Sequence, residues 1–405
     1  MALRPETLLA SALTIIGIGV APFIQPPWIL SLIIVLLGSV FYLIRRTKYP
    51  ALALMVIAAL YGAQLLSLFV LLGTVAIVVL GELAFLAVSK ESYGYPSYFV
   101  AATAGSLAVM LYLGYRTPLV AVLGVLVALM LKSALKRRYD SLMVESLGVA
   151  MTMFLFEEIN FEVDMMLLLT AVITALSFGY FSYKIRAADL SGLFSGAIVG
   201  ILLIVFADVR WFFIVLTFFI LGSGCTRYRY SKKQEMGVAE AHGGMRGYFN
   251  VFANLLVAVS AAVLYGLTSF SGFPISALFV ALFLGSVSSA AADTVSSEIG
   301  VVGRTPYLIT TMEPVPHGTN GGITLKGEVA GFLAAIVVAA ASLLLGIASF
   351  PLAAIVALAG LVGTNVDSVV GATLENTGKI GNSGTNFIAT FSGGVFALLL
   401  SSLLL

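Results

Sequence analysis

Apolar runs of roughly 17 to 25 residues recur along the whole 405-residue chain, and each is long enough to cross a hydrocarbon core of ~30 Å. Hydrophobic residues make up 60% of the chain and charged residues only 10%, whereas a soluble domain carries about 25% charge. The sequence therefore predicts an all-α, polytopic membrane protein with about 14 to 15 transmembrane helices. The single cysteine, Cys225, excludes an internal disulfide framework.

Fifteen apolar segments are expected to form helices. They begin near residues 7, 28, 51, 68, 97, 117, 143, 164, 189, 210, 247, 275, 329, 351 and 388. The segment 143–160 is the weakest because Glu157 and Glu158 lie within it. No cleavable signal peptide is expected, since further spans follow the first run directly.

Three glycine-rich, charged loops interrupt the second half of the chain, at 222–254, 291–328 and 363–386. Lys and Arg concentrate in these loops and near residue 184, whereas the loops near 207, 270 and 349 are almost uncharged. The positive-inside rule then places all three loops on the cytoplasmic side of the cell membrane. One helical hairpin separates each loop from the next, so we expect the loops to converge on one site. Residues 1–160 lack such a loop and are interpreted as an accessory bundle for lipid access or homodimerisation, with 161–405 as the catalytic domain.

Acidic residues in two of the loops suggest a metal site. Asp293 follows a run of small residues at the end of an apolar span, and Glu298 lies five residues further on. Asp367 ends another span, where it could be a second metal ligand or a partner for Arg246. Carboxylates and hydroxyls at a water boundary suit Mg²⁺, which usually binds together with phosphates. The alternative is that these are ordinary acids at helix ends in the solvated membrane interface.

A glycine-rich segment in the second loop favours phosphate binding. Gly318, Thr319, Asn320, Gly321 and Gly322 offer several backbone N–H groups in one turn, and Lys326 follows as the next helix begins. Backbone donors and a lysine near a helix N-terminus form an anion site. The alternative is a loop that only reverses the chain direction.

The first loop carries the densest positive cluster. Arg227, Arg229 and Lys232 follow Thr226, although a cytoplasmic loop is expected to be basic in any case. Arg246, Asn250 and Asn254 are spaced by four and therefore share one helical face. The site residues that we predict in this loop are Thr226, Arg227, Arg229, Lys232, Glu240, Arg246, Asn250 and Asn254.

The residue types favour phosphoryl transfer over hydrolysis. The chain contains neither a G-x-S-x-G nucleophile element nor an HExxH zinc motif. Carboxylates, Lys/Arg and glycine loops are what phosphoryl transfer uses for positioning and charge neutralisation. We expect Asp293, with Glu298 or Asp367, to bind Mg²⁺, and Asp293, Lys326 and Arg246 to act in catalysis on a lipid phosphate.

Five ordered elements resemble a known group of membrane proteins, the family that includes plant chloroplast phytyl-phosphate kinase and the human transmembrane protein nineteen. They are Gly224-Cys225-Thr226-Arg227 through Lys232, then Val238-Ala239-Glu240 with Arg246-Gly247, Asn250 and Asn254, then Asp293 to Gly300, Pro316 to Gly322 with Gly327, and Asp367 to Thr373. The resemblance covers roughly residues 165 to 405.

The resemblance implies a kinase that converts a prenyl monophosphate, such as phytyl or geranylgeranyl monophosphate, into the diphosphate, with CTP or another nucleotide as donor. Its partners would be the lipid, the nucleotide and the membrane, with no nucleic acid. Two alternatives remain open at this point. One is a nucleotidyltransferase that forms a CDP-activated lipid, and the other is a transporter or flippase for a phosphorylated lipid, although no internal repeat supports transport.

Overall fold

The computed structural model describes residues 5–44, 47–88, 91–136, 138–270 and 275–404. The chain forms two compact units, 1–168 and 169–405. Helices α1 to α7 belong to the first unit: α1 Pro5–Val20, α2 Pro27–Tyr42, α3 Lys48–Gly62, α4 Leu68–Ala87, α5 Glu91–Tyr112, α6 Pro118–Ala134 and α7 Ser141–Ile159.

The second unit begins within α8 and holds the remaining elements. They are α8 Met165–Lys184, α9 Leu190–Phe206, α10 Val209–Arg227, α11 Tyr230–Glu235, α12 Tyr248–Phe270, α13 Ser276–Gly300, β1 Tyr307–Leu308, β2 Gly322–Ile323, α14 Leu325–Leu344, α15 Phe350–Val370 and α16 Asn382–Leu404. The two strands pair antiparallel inside the second glycine-rich loop.

All fifteen predicted segments coincide with a helix, including the weak one at 143–160, and the all-α membrane fold is confirmed. By length and composition, eight helices of the described chain could cross a membrane: α4, α8, α10, α12, α13, α14, α15 and α16. Five helices are apolar but shorter. The short α11 was not predicted, because a six-residue polar helix leaves no hydrophobic period in the sequence.

The first unit buries a polar network of its own. Glu145 on α7 is 1% exposed, and its Oε1 accepts a hydrogen bond of 2.6 Å from the Tyr98 hydroxyl. Lys132 pairs with Glu82 and lies 4.3 Å from the centre of the Phe85 ring. Tyr98 thus has a partner in Glu145 and Lys132 one in Glu82, as polar groups in an apolar interior require.

Helix α13 is the centre of the second unit and packs against α10, α12, α14, α15 and α16. Its inner face consists of small residues, which let neighbouring backbones approach closely. The Ser288 hydroxyl donates to the carbonyl oxygen of Val356 on α15 at 2.8 Å, and the Ser289 hydroxyl donates to that of Ala389 on α16 at 2.9 Å. These contacts fix the positions of α13, α15 and α16 along one another. The ends of α13 and α15 therefore lie at the same level as the beginnings of α14 and α16.

We expect Gly285→Ala to destabilise the second unit. An added Cβ would lie 2.5 Å from the Ala397 Cβ and 2.6 Å from the Gly393 carbonyl oxygen, so α13 and α16 would have to separate. Overpacking of this kind costs about 1–3 kcal/mol. Thermal unfolding in detergent measures it, with Gly17→Ala on α1 as control because nothing lies within 4 Å of a Cβ there. Equal melting temperatures for the two variants would contradict this account of the packing.

Candidate functional site

The three glycine-rich loops meet at one cavity of about 390 Å³. This confirms the prediction that they converge. The predicted residues that line the cavity are Glu240, Arg246, Asn250, Asp293, Glu298, Gly318, Thr319, Asn320, Gly321, Gly322 and Asp367. Side chains that were not chosen from the sequence also line it, among them Thr294, Ser296, His317, Thr364, Ser368, Glu375 and Asn386.

Asp293 on α13 and Asp367 on α15 lie next to each other in the lining of this cavity. Their carboxyl groups lie within hydrogen-bonding reach of one another, and both side chains are half-buried. Among the described residues, the Asp367 Oδ1 and the Thr364 hydroxyl have no hydrogen-bond partner although both atoms are buried. Two adjacent carboxylates repel, so the pair calls for a proton or a cation between them.

Glu298 differs from the two aspartates because both of its carboxylate oxygens have partners within the protein. Its Oε1 accepts a hydrogen bond of 2.8 Å from the Thr226 hydroxyl, and its Oε2 forms an ion pair with Lys233, which is 0% exposed. The Lys233 ammonium also donates to the Cys225 carbonyl oxygen at 2.9 Å. Both carboxylate oxygens of Glu298 are therefore engaged within the protein, and this ion pair ties the first loop to α13.

Arg246 is positioned by the segment that precedes α9. Its backbone N–H donates to the Ala187 carbonyl oxygen at 3.0 Å, and its carbonyl oxygen accepts from the Asp189 N–H at 3.1 Å. Gly192 fits directly beneath, since a Cβ there would lie 2.0 Å from the Arg246 carbonyl oxygen. The requirement for glycine at this position could not be seen in the sequence, because the contact joins residues more than fifty positions apart.

The Arg246 guanidinium points to the polar wall of the cavity. It donates to Asn250 Oδ1 at 2.8 Å and to the Thr226 hydroxyl at 3.3 Å. Burial lowers the pKa of this guanidinium, and the nearby Glu240, Glu298 and Asp293 act in the opposite direction. Because arginine stays protonated in proteins, Arg246 brings a fixed positive charge to the cavity.

The glycine-rich segment of the second loop forms the opposite wall. Gly318 and Gly321 have φ of +82° and +80°, a left-handed backbone conformation that favours glycine. A Cβ on Gly321 would lie 2.5 Å from the Ser368 carbonyl oxygen. The N–H groups of Thr319 and Gly322 close turns within the loop, whereas those of Gly318, Asn320 and Gly321 donate no hydrogen bond within the described chain.

Helix α15 ends in a π-helical turn, Gly371–Glu375, directly beside this wall. The Asn376 side chain donates to the Asn320 carbonyl oxygen at 3.0 Å, which fixes the glycine-rich segment against the third loop. Single π turns are frequent at functional sites.

Several predicted residues lie away from the cavity. Thr226 and Asn254 are buried behind its wall, where the Asn254 side chain donates to the Asn250 carbonyl oxygen at 2.9 Å. Exposed positions outside the lining are occupied by Arg227, Arg229, Lys232 and Lys326. Arg227 donates to the Ile185 carbonyl oxygen, and the Lys326 ammonium lies 5.8 Å from the centre of the Tyr228 ring. Phosphate binding by these four side chains stays a prediction.

Comparison with known proteins covers the same part of the chain. Residues 173–394 match the family of integral membrane protein DUF92, and this stretch includes all three loops. The chain belongs to this family. The DUF92 match ends within α16, and it begins within α8, close to the start of the second compact unit.

Three relatives illustrate the range of the family. An uncharacterized membrane protein of Synechocystis sp. is 35% identical over 199 residues, or 48% of this chain and 76% of the relative. An uncharacterized membrane protein of Methanocaldococcus jannaschii is 33% identical over 54% of this chain and 87% of its own. Protein VTE6, chloroplastic, of Arabidopsis thaliana is 33% identical over 48% of this chain and 59% of its own. No solved structure matches the chain.

Adjacent lysines on α11 provide a test of the ion pair with Glu298. Lys233→Met leaves the Glu298 carboxylate without its cation in a buried place, and breaking a buried pair in this way costs about 3–5 kcal/mol. Lys232→Met alters an exposed neighbour and should leave stability unchanged. Thermal unfolding of the two variants measures the difference, and adding Glu298→Gln to Lys233→Met should restore part of the loss. Equal stability of the two single variants would show that the pair contributes nothing.

Proposed function

We propose that residues 169–405 form a membrane-embedded kinase that transfers a phosphoryl group from a nucleoside triphosphate to a prenyl monophosphate. The observation that carries the proposal is the composition of one cavity. Asp293 and Asp367 lie with Arg246 and a glycine-rich turn at the ends of membrane-length helices, and three N–H groups of that turn donate no hydrogen bond among the described residues. Negative groups for a cation and positive groups for phosphates lie side by side, as phosphoryl transfer requires.

The donor set of the cavity fits Mg²⁺. Asp293 and Asp367 would hold the ion, with the Thr364 hydroxyl as a third oxygen, and two of these oxygens are buried without a partner. No group of three or more His, Cys, Asp and Glu side chains in the described chain is arranged as a metal site. Mg²⁺ commonly binds through one or two carboxylates and takes its other ligands from substrate phosphates and water. When bound, the ion neutralises phosphate charge.

The protein groups position the two phosphates for transfer. An oxygen of the prenyl monophosphate forms a bond to the terminal phosphorus of the nucleotide, and the bond from that phosphorus to the bridging oxygen breaks, releasing the nucleoside diphosphate. Arg246 compensates the negative charge, and the N–H groups of Gly318, Asn320 and Gly321 hold phosphoryl oxygens. The acceptor is already ionised, so no general base is needed.

The identities of the two substrates rest on the sequence. The five motifs resemble those of the phytyl-phosphate kinase family and support a prenyl acceptor with CTP or another nucleotide as donor. The same motifs lie within residues 173–394, the stretch that matches the DUF92 family. We place the cavity on the cytoplasmic face, because the Lys and Arg of the second half concentrate in the loops at this end of the helices.

A product assay on purified protein tests the reaction. Geranylgeranyl or phytyl monophosphate is supplied with Mg²⁺ and each nucleoside triphosphate in turn. Prenyl diphosphate with stoichiometric nucleoside diphosphate is the expected result. A CDP-lipid with pyrophosphate would assign the cavity to a nucleotidyltransferase instead. Absence of turnover in folded protein, with transport of the lipid in vesicles, would assign it to a transporter.

Asp293→Asn should abolish turnover without unfolding the protein. The substitution keeps the shape of the side chain and removes one of the two facing negative charges. Glu313→Gln removes an exposed acid of the same loop and serves as the matched control. Retained activity in Asp293→Asn would remove Asp293 from the mechanism.

Asp367→Asn should raise the Mg²⁺ concentration needed for half-maximal rate. The variant loses the negative charge of a side chain with an unpartnered buried oxygen, and the affinity should fall at least as much as the roughly 10–100-fold seen when a hydrogen-bond partner of a metal ligand is removed. Titration of Mg²⁺ at saturating nucleotide and lipid measures the shift. An unchanged Mg²⁺ requirement would show that Asp367 does not hold the ion.

A further inference from the structure

A second, apolar groove lies within the same unit, between α8, α9, α10 and α12. Its lining is almost entirely hydrocarbon, and it shares two residues with the polar cavity, Arg246 and Asn250. The groove therefore starts at the positive wall of the candidate site and continues into the apolar part of the helical bundle.

One wall of the groove is a line of glycines on α9. Gly192, Gly196 and Gly200 are spaced by four and share one face of the helix. Gly192 and Gly200 are packed tightly, since a Cβ on Gly200 would lie 2.9 Å from the Ala175 Cβ. Gly196 differs, because no atom lies within 4 Å of a Cβ built there. Open space at Gly196 is thus flanked by two close helix contacts.

The facing wall is aromatic. Phe178 on α8 lies edge-on to Phe212 and Phe219 on α10, with ring centres 5.7 Å and 5.2 Å apart. Ser182 contributes a hydroxyl to the lining, but it donates to the Phe178 carbonyl oxygen at 2.9 Å. A nucleoside would need polar partners that these walls lack, whereas a hydrocarbon chain needs none.

We propose that this groove binds the prenyl chain of the lipid substrate, with its phosphate at Arg246. The inference rests on the proposed function and deepens it by naming the part of the protein that selects the chain. Charge at one end and hydrocarbon walls along the rest match an amphipathic ligand that carries one anionic head and one apolar tail. Gly196 would then limit how much chain the groove accepts.

Filling the groove at its open point tests the proposal. Gly196→Leu places a side chain where the structure has room, so it should fold, and Gly17→Leu on α1 is a matched control at another open helical glycine. We expect the KM for geranylgeranyl monophosphate to rise about tenfold, because the leucine side chain would keep roughly two methylene groups of the prenyl chain out of the groove. The KM values for dimethylallyl monophosphate and for the nucleotide should stay within about twofold. Phe219→Ala, which widens the opposite wall, should shift the preference towards longer chains.

A binding measurement separates this inference from the kinase assignment. A geranylgeranyl monophosphate with a photoreactive group at the end of its chain should label peptides of α9 and α10. In Gly196→Leu, about tenfold more probe should be needed for the same labelling. Labelling of this kind without turnover would overturn the kinase proposal and support the groove. Turnover with an unchanged chain-length profile in Gly196→Leu, or with labelling elsewhere, would overturn the groove and leave the kinase proposal standing.

Discussion

The close packing of α13 against its neighbours is the contact on which the candidate site depends. Serine, alanine and glycine on α13 let α15 and α16 approach until hydroxyls reach backbone carbonyls, as Ser288 and Ser289 do. Lipid offers no hydrophobic drive between helices, so small residues and interhelical hydrogen bonds carry this association. With the helices held in register, their polar ends meet, and residues that lie about seventy positions apart, such as Asp293 and Asp367, come within reach of one another.

Charge compensation separates Glu298 from the two aspartates of the cavity. Glu298 has a buried cation, Lys233, and a hydroxyl donor, so it is satisfied by the protein itself. Asp293 and Asp367 lie next to each other, with the Arg246 charge near Asp293, and one oxygen of Asp367 has no hydrogen-bond partner among the described residues. A half-buried pair of like groups is unfavourable unless something positive joins it. This difference is the reason the proposal places the cation at the two aspartates and not at Glu298, although all three acids line the same cavity.

The helices could be predicted from the sequence because each apolar run is long and nearly continuous. The alternation of charged and uncharged loops was enough to place the three glycine-rich loops at the same end of the helices. The sequence could not show which of Lys232 and Lys233 is buried. The answer depends on the rotation of helix α11 about its axis, and this helix was not predicted. The sequence also could not single out Thr364, which looks like any polar residue near a helix end. Lys326 follows the glycine-rich turn directly in sequence, yet the first turn of α14 directs it to the surface beside Tyr228.

Arg246 links the polar and the apolar parts of the second unit. Its backbone is held by the Ala187–Asp189 segment, so its guanidinium stands where the polar cavity and the apolar groove share their lining. In the proposed reaction, a lipid phosphate at this point keeps its chain among the helices while a water-soluble nucleotide reaches the same phosphate from the glycine-rich loops. Neither substrate would have to leave its own solvent. A cation held in one place at this boundary serves that arrangement better than a flexible one. The close contact that holds the Arg246 backbone requires glycine at position 192, because a Cβ there would lie 2.0 Å from the Arg246 carbonyl oxygen.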